Sequence, residues 1–383
     1  MKVINFIKEN GIPSLVEKYK IKVKDYTDRV VLNYDQIESP RFDPIVDECR
    51  ALILKKDTWE VLARGYDRFY NVGEDPNTSN FPFDSRFVRF DEKIDGSLIL
   101  VYWDSVSYKW QCSTRSCAYA EGTNSFGTTF ADVFSKAILN TKVIEYLNTV
   151  GDKCITYIFE LVSPETRVVT PYSEHKVYLT GMRFNTIGLE CCEMHLDNVA
   201  REMEVKRPNK YKFTSIQDAI EKSKELPAME EGFVLVHEGN DRYWRLKCKN
   251  PKYLAIANMR NNGQISPKRI LMLIMANDHL EYLSYFECDK PYFDFVEKIY
   301  NDCVSRIEGI WERNKGLETQ KEFAISIMGS CEYDWEKGVL FELRKGKLIG
   351  DIFKKLDSSK LEKSMNLKGK FQKNFNIVVE EEG

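Results

Sequence analysis

Between Arg50 and Lys249 the sequence is cut into short runs rich in β-branched and aromatic residues, and after about Ala255 that pattern stops. The runs are Ala51 to Leu54, Val61 to Arg64, Ser97 to Trp103, Tyr108 to Ser113, Ile155 to Val162, Val177 to Phe184, Gly232 to His237 and Tyr243 to Lys247. Each has the length and composition of a strand. One helix is predicted to interrupt them. Phe130, Val133, Phe134, Ala137, Ile138 and Leu139 recur near helical spacing, and Val143, Ile144 and Leu147 continue it. Past residue 255, Phe295, Val296, Ile299, Cys303, Ile307, Ile310 and Trp311 share one face of a long helix. Up to about Lys24, the pattern of Ile4, Ile7, Leu15, Val16 and Tyr19 predicts short helices broken at Gly11-Ile12-Pro13. The change of period predicts two domains. Residues 1–254 form a strand-rich domain with an N-terminal helical extension of about 40 residues, and residues 255–383 form a helical one.

Composition agrees with that division and excludes several function classes. A chain of 383 residues, 43% of them apolar, can bury about two cores. The balance of 56 basic and 59 acidic residues excludes a globally polybasic protein while leaving room for local patches. Arg245 to Asn277 holds basic residues and no acid, and Arg344 to Lys373 is also rich in lysine, so either could follow a phosphate backbone. The ten cysteines are scattered without a C-x-x-C pair, which fits reduced thiols. The four histidines lack ligand spacing, which argues against structural zinc and His-based hydrolysis. Any metal should be a hard cation on oxygen ligands. No apolar run is long enough to span a bilayer, and the N-terminus lacks a signal-peptide core, so a cytoplasmic protein without membrane partners is expected.

The chemistry centres on Asp91-Glu92-Lys93-Ile94-Asp95-Gly96-Ser97, which sets a lysine amine on a tight turn at the mouth of a strand. With an ordinary pKa near 10.4, only roughly 0.04% of a lysine is neutral at pH 7. Burial beside other basic groups and a divalent metal would strip its proton. The expectation is therefore a buried Lys93 facing cations and attacking a nucleotide α-phosphate. Taken alone, the segment is equally well a surface β-turn. Phosphoryl transfer also needs carboxylates and cations, because it is largely positioning and charge stabilisation. Phe159-Glu160-Leu161-Val162 places an acid inside an apolar strand, and Glu230-Glu231-Gly232-Phe233-Val234 repeats the device at another strand's start. Arg245-Leu246-Lys247-Cys248-Lys249 alternates, projecting Lys247 and Lys249 to one side. Singly, each is more readily a salt-bridged strand residue; their order is the stronger signal.

In that order the chain resembles the covalent nucleotidyltransferase superfamily, and more closely the RNA ligases of the T-even bacteriophage RNA ligase 1 type. The resemblance runs through Lys93-Ile94-Asp95-Gly96, Phe159-Glu160, Glu231-Gly232-Phe233-Val234 and Lys247-Cys248-Lys249. Upstream it includes Glu48-Cys49-Arg50, Arg64 to Asn71 and Ser113-Thr114-Arg115-Ser116. It implies an α+β nucleotidyltransferase (adenylyltransferase) fold of antiparallel sheets with flanking helices, followed by an all-helical C-terminal domain for RNA specificity. The activity implied is ATP-dependent joining of 5′-phosphate and 3′-hydroxyl RNA ends through lysyl-AMP and AMP-RNA. Mg²⁺ or Mn²⁺ would assist, and nicked tRNA would be the RNA. Lys93 would be the nucleophile and Lys247 and Lys249 catalytic cations. ATP would meet those lysines together with Arg50, Arg68, Tyr70, Asp95, Gly96, Arg115, Glu160 and Glu231, with Arg50 and Arg68 on the β and γ phosphates and Glu160 on the ribose. Glu231 and Asp278 would hold the metal, although Asn277 replaces the first of the family's two acids. Arginine replaces lysine at positions 68 and 115. Residues 1–40 match nothing in the family, and no protein partner is implied; a viral protein of this kind would work in the host cytoplasm. The rivals are an mRNA-capping guanylyltransferase, a DNA ligase, or a non-catalytic RNA-binding protein on the same scaffold. The first two normally end in an OB-fold of strands, which this C-terminus does not suggest.

Overall fold

A computed structural model of the chain describes residues 1–74, 78–124, 127–239, 243–260, 266–276 and 279–375. The chain divides into two units, Met1–Ala257 and Asn258–Gly383. No helix among the described residues is long and apolar enough to cross a membrane.

The N-terminal residues are not the helical extension expected from their sequence. Helix α1 (Lys2–Tyr19) is kinked at Gly11, whose φ is 77°, and then gives way to a hairpin of β1 (Ile21–Asp25) and β2 (Arg29–Tyr34). Ile21-Lys22-Val23-Lys24 alternates with period two, a pattern too short to stand out beside the helix before it. The helix α2 (Pro44–Glu48) follows, capped by Asp43, and then β3 (Arg50–Lys55) and β4 (Val61–Ala63) complete a four-stranded sheet in the order β1-β2-β3-β4. Its outer face packs on α1 through Leu15, Leu32, Leu52 and Leu54.

The remaining strands of the first unit are β5 (Tyr70–Asn71), β6 (Val88–Glu92), β7 (Ser97–Asp104), β8 (Lys109–Ser113), β9 (Ile155–Val162), β10 (Lys176–Phe184), β11 (Lys210–Tyr211), β12 (Gly232–Glu238) and β13 (Tyr243–Lys249). They form a second sheet, β10-β9-β7-β8, and a third, β11-β6-β12-β13-β5. All pairings are antiparallel except β13 with β5. Strand β6 escaped the sequence reading because Arg89, Asp91 and Glu92 mask its apolar residues, Val88 and Phe90.

The expected single helix after Phe130 is two, α3 (Phe130–Ile138) and α4 (Val143–Thr149). Thr141 breaks it locally. Its hydroxyl donates to the Ile138 carbonyl, and the Lys142 amide turns away to the Met203 carbonyl. Two further helices, α5 (Glu193–Glu202) and α6 (Ile216–Glu225), were also unforeseen between the strands. Helices α3 to α5 cover one face of the second sheet through Ile99, Val101, Phe159 and Leu161. Residues of opposite parity, Leu100, Tyr102 and Ile158, face the first sheet's Val31, Ala51, Ile53 and Ala63. Each large aliphatic side chain buried there contributes about 1.5–3 kcal/mol. One ion pair crosses the same layer: Arg29 of β2, 1% exposed, donates to Asp104 and to the Tyr102 hydroxyl of β7. Helix α6 covers the outer face of the third sheet. The inner face of that sheet and the Leu98–Glu160 end of the second one are left to enclose a cavity.

The second unit is helical. After α7 (Pro251–Arg260), which straddles the boundary, come α8 (Pro267–Ala276), α9 (His279–Tyr285) and the long α10 (Lys290–Asn314). Then follow α11 (Gln320–Met328), α12 (Asp334–Arg344), α13 (Ile349–Phe353), α14 (Ser358–Ser364) and α15 (Leu367–Phe375). Ile307 and Ile310 of α10 pack against Phe323, Ile327, Leu340 and Phe353. The lysines of the last helices, among them Lys354, Lys355, Lys363, Lys370 and Lys373, remain exposed.

Candidate active site

Lys93 directly follows β6, and its amide donates to the Gly232 carbonyl at 2.9 Å, tying the lysine turn to the start of β12. Gly232 has φ 132°, and a Cβ there would lie 2.2 Å from the Cys248 carbonyl, so only glycine permits this crossing. The crossing places the preceding residue, Glu231, beside the lysine. Lys93 Nζ donates to Glu231 Oε2 at 2.7 Å, and Lys249 Nζ sits 2.9 Å from Oε1. Lys93 thus faces carboxylates, contrary to the expected ring of cations. Burial pulls its ammonium down, but Glu231 and Glu160 more than offset this, and its pKa stands above the ordinary lysine value. Burial also pushes Glu231 up, and Lys93 and Lys249 outweigh it to hold the carboxylate below its usual range.

The expected cationic environment belongs to Lys247. Burial, with Lys93, Arg50 and Lys249 around it, lowers that amine to about 7. In the same cavity, Glu160 of β9 is raised to about 7, chiefly by burial, with Lys93 opposing and Glu231 adding to the rise. Its carboxyl makes no hydrogen bond to a described side chain and is free to receive a hydroxyl.

The cavity, about 430 Å³, is lined by Arg50, Lys93, Gly96, Arg115 and Glu160 from the predicted set. Lys247 reaches toward the same region: its Nζ lies 5.1 Å from the centre of the Phe69 ring, and Arg50 stacks on that ring at 5.4 Å. A second aromatic post is Tyr34, at the end of β2. Arg68 and Arg115 flank its ring at 4.1 and 4.4 Å, and Arg115 also donates to Asn33 at 3.0 Å. Burial, then Arg50 and Arg68, pull the Arg115 guanidinium below its ordinary value, despite Tyr34. One Nη of Arg50 and one of Arg68 are buried without a hydrogen-bond partner. Buried guanidinium N–H groups held without acceptors suit an anion with several oxygens. Sequence reasoning missed Tyr34 and Asn33, whose place beside Arg50 comes from the pairing Asn33↔Arg50 between β2 and β3.

Two predicted ligands have other work. Tyr70, 2% exposed, donates its hydroxyl to Asp47 at 2.6 Å and accepts from the Phe42 amide, while its ring stands 5.1 Å from Arg68. Asp95 accepts from the Val169 and Thr170 amides and from the Tyr253 hydroxyl, anchoring the lysine turn to the segment after β9 and to α7. Gly96 is needed for close approach: a Cβ there would sit 2.5 Å from the Leu161 carbonyl and 3.1 Å from Glu160 Cγ. Gly96→Ala should displace the turn from Glu160 and slow the covalent nucleotide transfer expected from the sequence by up to about 10²-fold. Single-turnover labelling checks this, with melting curves to confirm folding.

For a metal, the residues at hand are Glu160 and Glu231. Among the described residues no group of three or more His, Cys, Asp or Glu could hold an ion. Mg²⁺ commonly uses one or two carboxylates with substrate phosphates, so a full protein cage is not required. Both Glu231 oxygens are engaged by lysines, and the predicted second ligand, Asp278, lies outside the described residues.

Comparison with known proteins adds a family. A family model described as RNA ligase matches residues 48–253, just over half of the chain. A protein of Autographa californica nuclear polyhedrosis virus, named as a bifunctional polynucleotide kinase/RNA ligase, is 32% identical over 331 residues. That match takes in 80% of this chain and 45% of the viral protein, so the chain spans about half the length of that relative. An RNA ligase of Rhodothermus phage RM378 is 25% identical over 363 residues, covering 77% of this chain and 81% of the phage protein. Among solved structures, an archaeal ATP-dependent RNA ligase is similar with a TM-score of 0.44 and 12% identity, over 98% of this chain and 90% of that one.

Proposed function

Because the chain belongs to the RNA ligase family, we propose that it seals RNA ends with 5′-phosphate and 3′-hydroxyl groups at the expense of ATP. The observation that carries this reading is the Lys93 amine set in a cavity with Glu160 and with unpaired arginine donors nearby. In the first step Lys93 gives the proton it shares with Glu231 to that carboxylate, its free Nζ attacks the α-phosphorus of ATP, an N–P bond forms, the bond to the β-phosphate oxygen breaks, and pyrophosphate leaves. The AMP then passes to an RNA 5′-phosphate oxygen, restoring the lysine. Finally a 3′-hydroxyl attacks that phosphorus, forming the phosphodiester and releasing AMP.

Each step is an in-line displacement for which the protein supplies position and charge. Arg50, Arg68 and Arg115 would clamp the β and γ phosphates, with Tyr34 and Phe69 holding the cations in place. Lys247 and Lys249 would meet charge on the α-phosphate, and Glu160 would receive the ribose hydroxyls. Tyr70, Asp95 and Gly96 would act by shaping this site. Mg²⁺ or Mn²⁺, held by Glu231 together with phosphate oxygens, would neutralise the reactants.

The helical second unit, with its exposed lysines, would bind RNA, and nicked tRNA in a host cytoplasm is the proposed natural setting. A test pairs two substrates: a tRNA cleaved in its anticodon loop and a linear RNA of equal length, each with 5′-phosphate and 3′-hydroxyl ends. ATP-dependent sealing of both, faster on the tRNA, is expected. Sealing of neither would overturn the ligase reading, and equal rates would overturn the tRNA preference.

A further inference from the structure

Where the segment between β8 and α3 meets the first sheet, four side chains that do not line the cavity come together. Lys24 of β1 donates through Nζ to Glu121 Oε1 at 2.6 Å and to Cys117 Sγ at 3.1 Å, and the Tyr26 hydroxyl donates to the same Glu121 oxygen. The other Glu121 oxygen accepts from the Tyr119 amide, so the carboxylate is fixed and steers the amine onto the sulfur. The Glu121 hydrogen bond also holds the amine above the ordinary lysine value, which keeps it an ammonium. Cys117 ends a turn: the Thr114 amide donates to its carbonyl at 3.0 Å, and the two residues between, Arg115 and Ser116, line the cavity.

An ion pair needs only Lys24 and Glu121. The sulfur brings a chemistry of its own. A thiolate is the form that attacks a peroxide, and an ammonium in contact with it is a ready counter-ion. Cys117 is half-buried, so a small oxidant can reach it. Any sulfenic acid formed there would lie against an amine, and sulfenic acids condense with nitrogen as well as with thiols.

We propose that Cys117 and Lys24 form a reversible oxidative cross-link, a sulfenamide between Sγ and Nζ, with hydrogen peroxide as the oxidant. The Cys117 thiolate attacks one peroxide oxygen, an S–O bond forms, the O–O bond breaks, and the departing hydroxide takes a proton from the Lys24 ammonium to become water. The freed Nζ then attacks sulfur, an S–N bond forms, the S–O bond breaks, and the oxygen leaves with a proton of the amine as a second water. Sulfur loses two electrons and the peroxide gains them. The link ties β1 to the turn that carries Arg115 and closes a stretch of 93 residues. It is independent of the ligase chemistry.

The test treats the full chain with hydrogen peroxide, alkylates the remaining thiols, digests without reductant and maps the peptides by mass spectrometry. A species joining the Lys24 and Cys117 peptides, lighter by two hydrogens than their sum, is expected, and dithiothreitol should release it. Lys24→Arg keeps a cation on Glu121, but a guanidinium cannot lose its proton to become a nucleophile. That variant should give no cross-link and should stop at a Cys117 sulfenic acid that dimedone traps. After the same oxidation, the unaltered protein should melt about 5–10 °C above the variant, the scale of a covalent tie across a long loop, and reductant should abolish the difference. Cys117 left unmodified, carrying only sulfenic or sulfinic acid, or joined to another cysteine in the oxidised unaltered protein would overturn the proposal. Equal melting temperatures for the two oxidised proteins would do the same.

Discussion

Lys93→Ala should take up no label from α-labelled ATP, and Lys93→Arg should fail equally. An arginine keeps the charge and reach but cannot release its proton to become a nucleophile. The experiment is sharper than a routine active-site substitution, because electrostatics alone points to a different residue. Lys247, lowered to about 7 by burial and the cations Lys93, Arg50 and Lys249, is the amine that gives up its proton more readily. Lys93 is stored as an ammonium against Glu231. Geometry favours Lys93 all the same: it lines the cavity and its amide is fixed to Gly232. We therefore expect Lys247→Ala to slow labelling while leaving the label on the peptide that contains Lys93. Mass spectrometry locates the added AMP. Residual adduct on Lys247 in the Lys93→Ala protein would reverse the two roles.

The same pair of lysines shows what was legible in the sequence. Lys93, Glu160, Glu231, Lys247 and Lys249 could be read because each sits at a strand end or on an alternating strand, where local composition betrays it. Which charge faces which depends on pairings that local composition does not encode. The Glu231–Lys93 contact follows from a hydrogen bond between residues 93 and 232, and Asp95 is drawn away by amides at 169 and 170. Tyr34 had no signal at all. It lies in a hairpin obscured by the preceding helix, and its value arises only once β2 pairs with β3 and Arg68 and Arg115 close on the ring. The strand pattern of residues 50–249 was readable for the same local reason. The break at Thr141 was hidden because one hydroxyl, set against a good helical period, decides it.

That hairpin is held by the ion pair whose loss should do most damage to the fold. Arg29→Ala is expected to destabilise the first unit by about 3–5 kcal/mol, the usual result of removing one partner of a buried pair. The Asp104 carboxylate and Tyr102 hydroxyl would be left in the layer between two sheets, where both side chains of the ion pair are 1% exposed. Burial pushes Asp104 up, but its hydrogen bonds from Ser107 and Arg29 hold it below the ordinary carboxylate value. A carboxylate depressed in this way contributes stability above its unfolded pKa and loses it as pH falls through the folded one. Without Arg29, the aspartate's folded pKa rises, so protonation relieves the variant at a higher pH than the intact protein. The difference between the two should therefore be greatest near neutrality and shrink in acid. Urea titrations from pH 7 toward pH 3 measure it. Replacing both partners, as Arg29→Met with Asp104→Leu, should recover much of the loss, because no uncompensated charge remains between the sheets; Asp28, the other carboxylate on Arg29, is 30% exposed and within reach of water. A loosened hairpin also carries Tyr34 and Asn33 away from Arg68 and Arg115, so the single variant should show a raised KM for ATP at temperatures where it is still folded. A loss below about 1 kcal/mol, the value of an exposed pair, would mean that the hairpin is held by its apolar contacts instead.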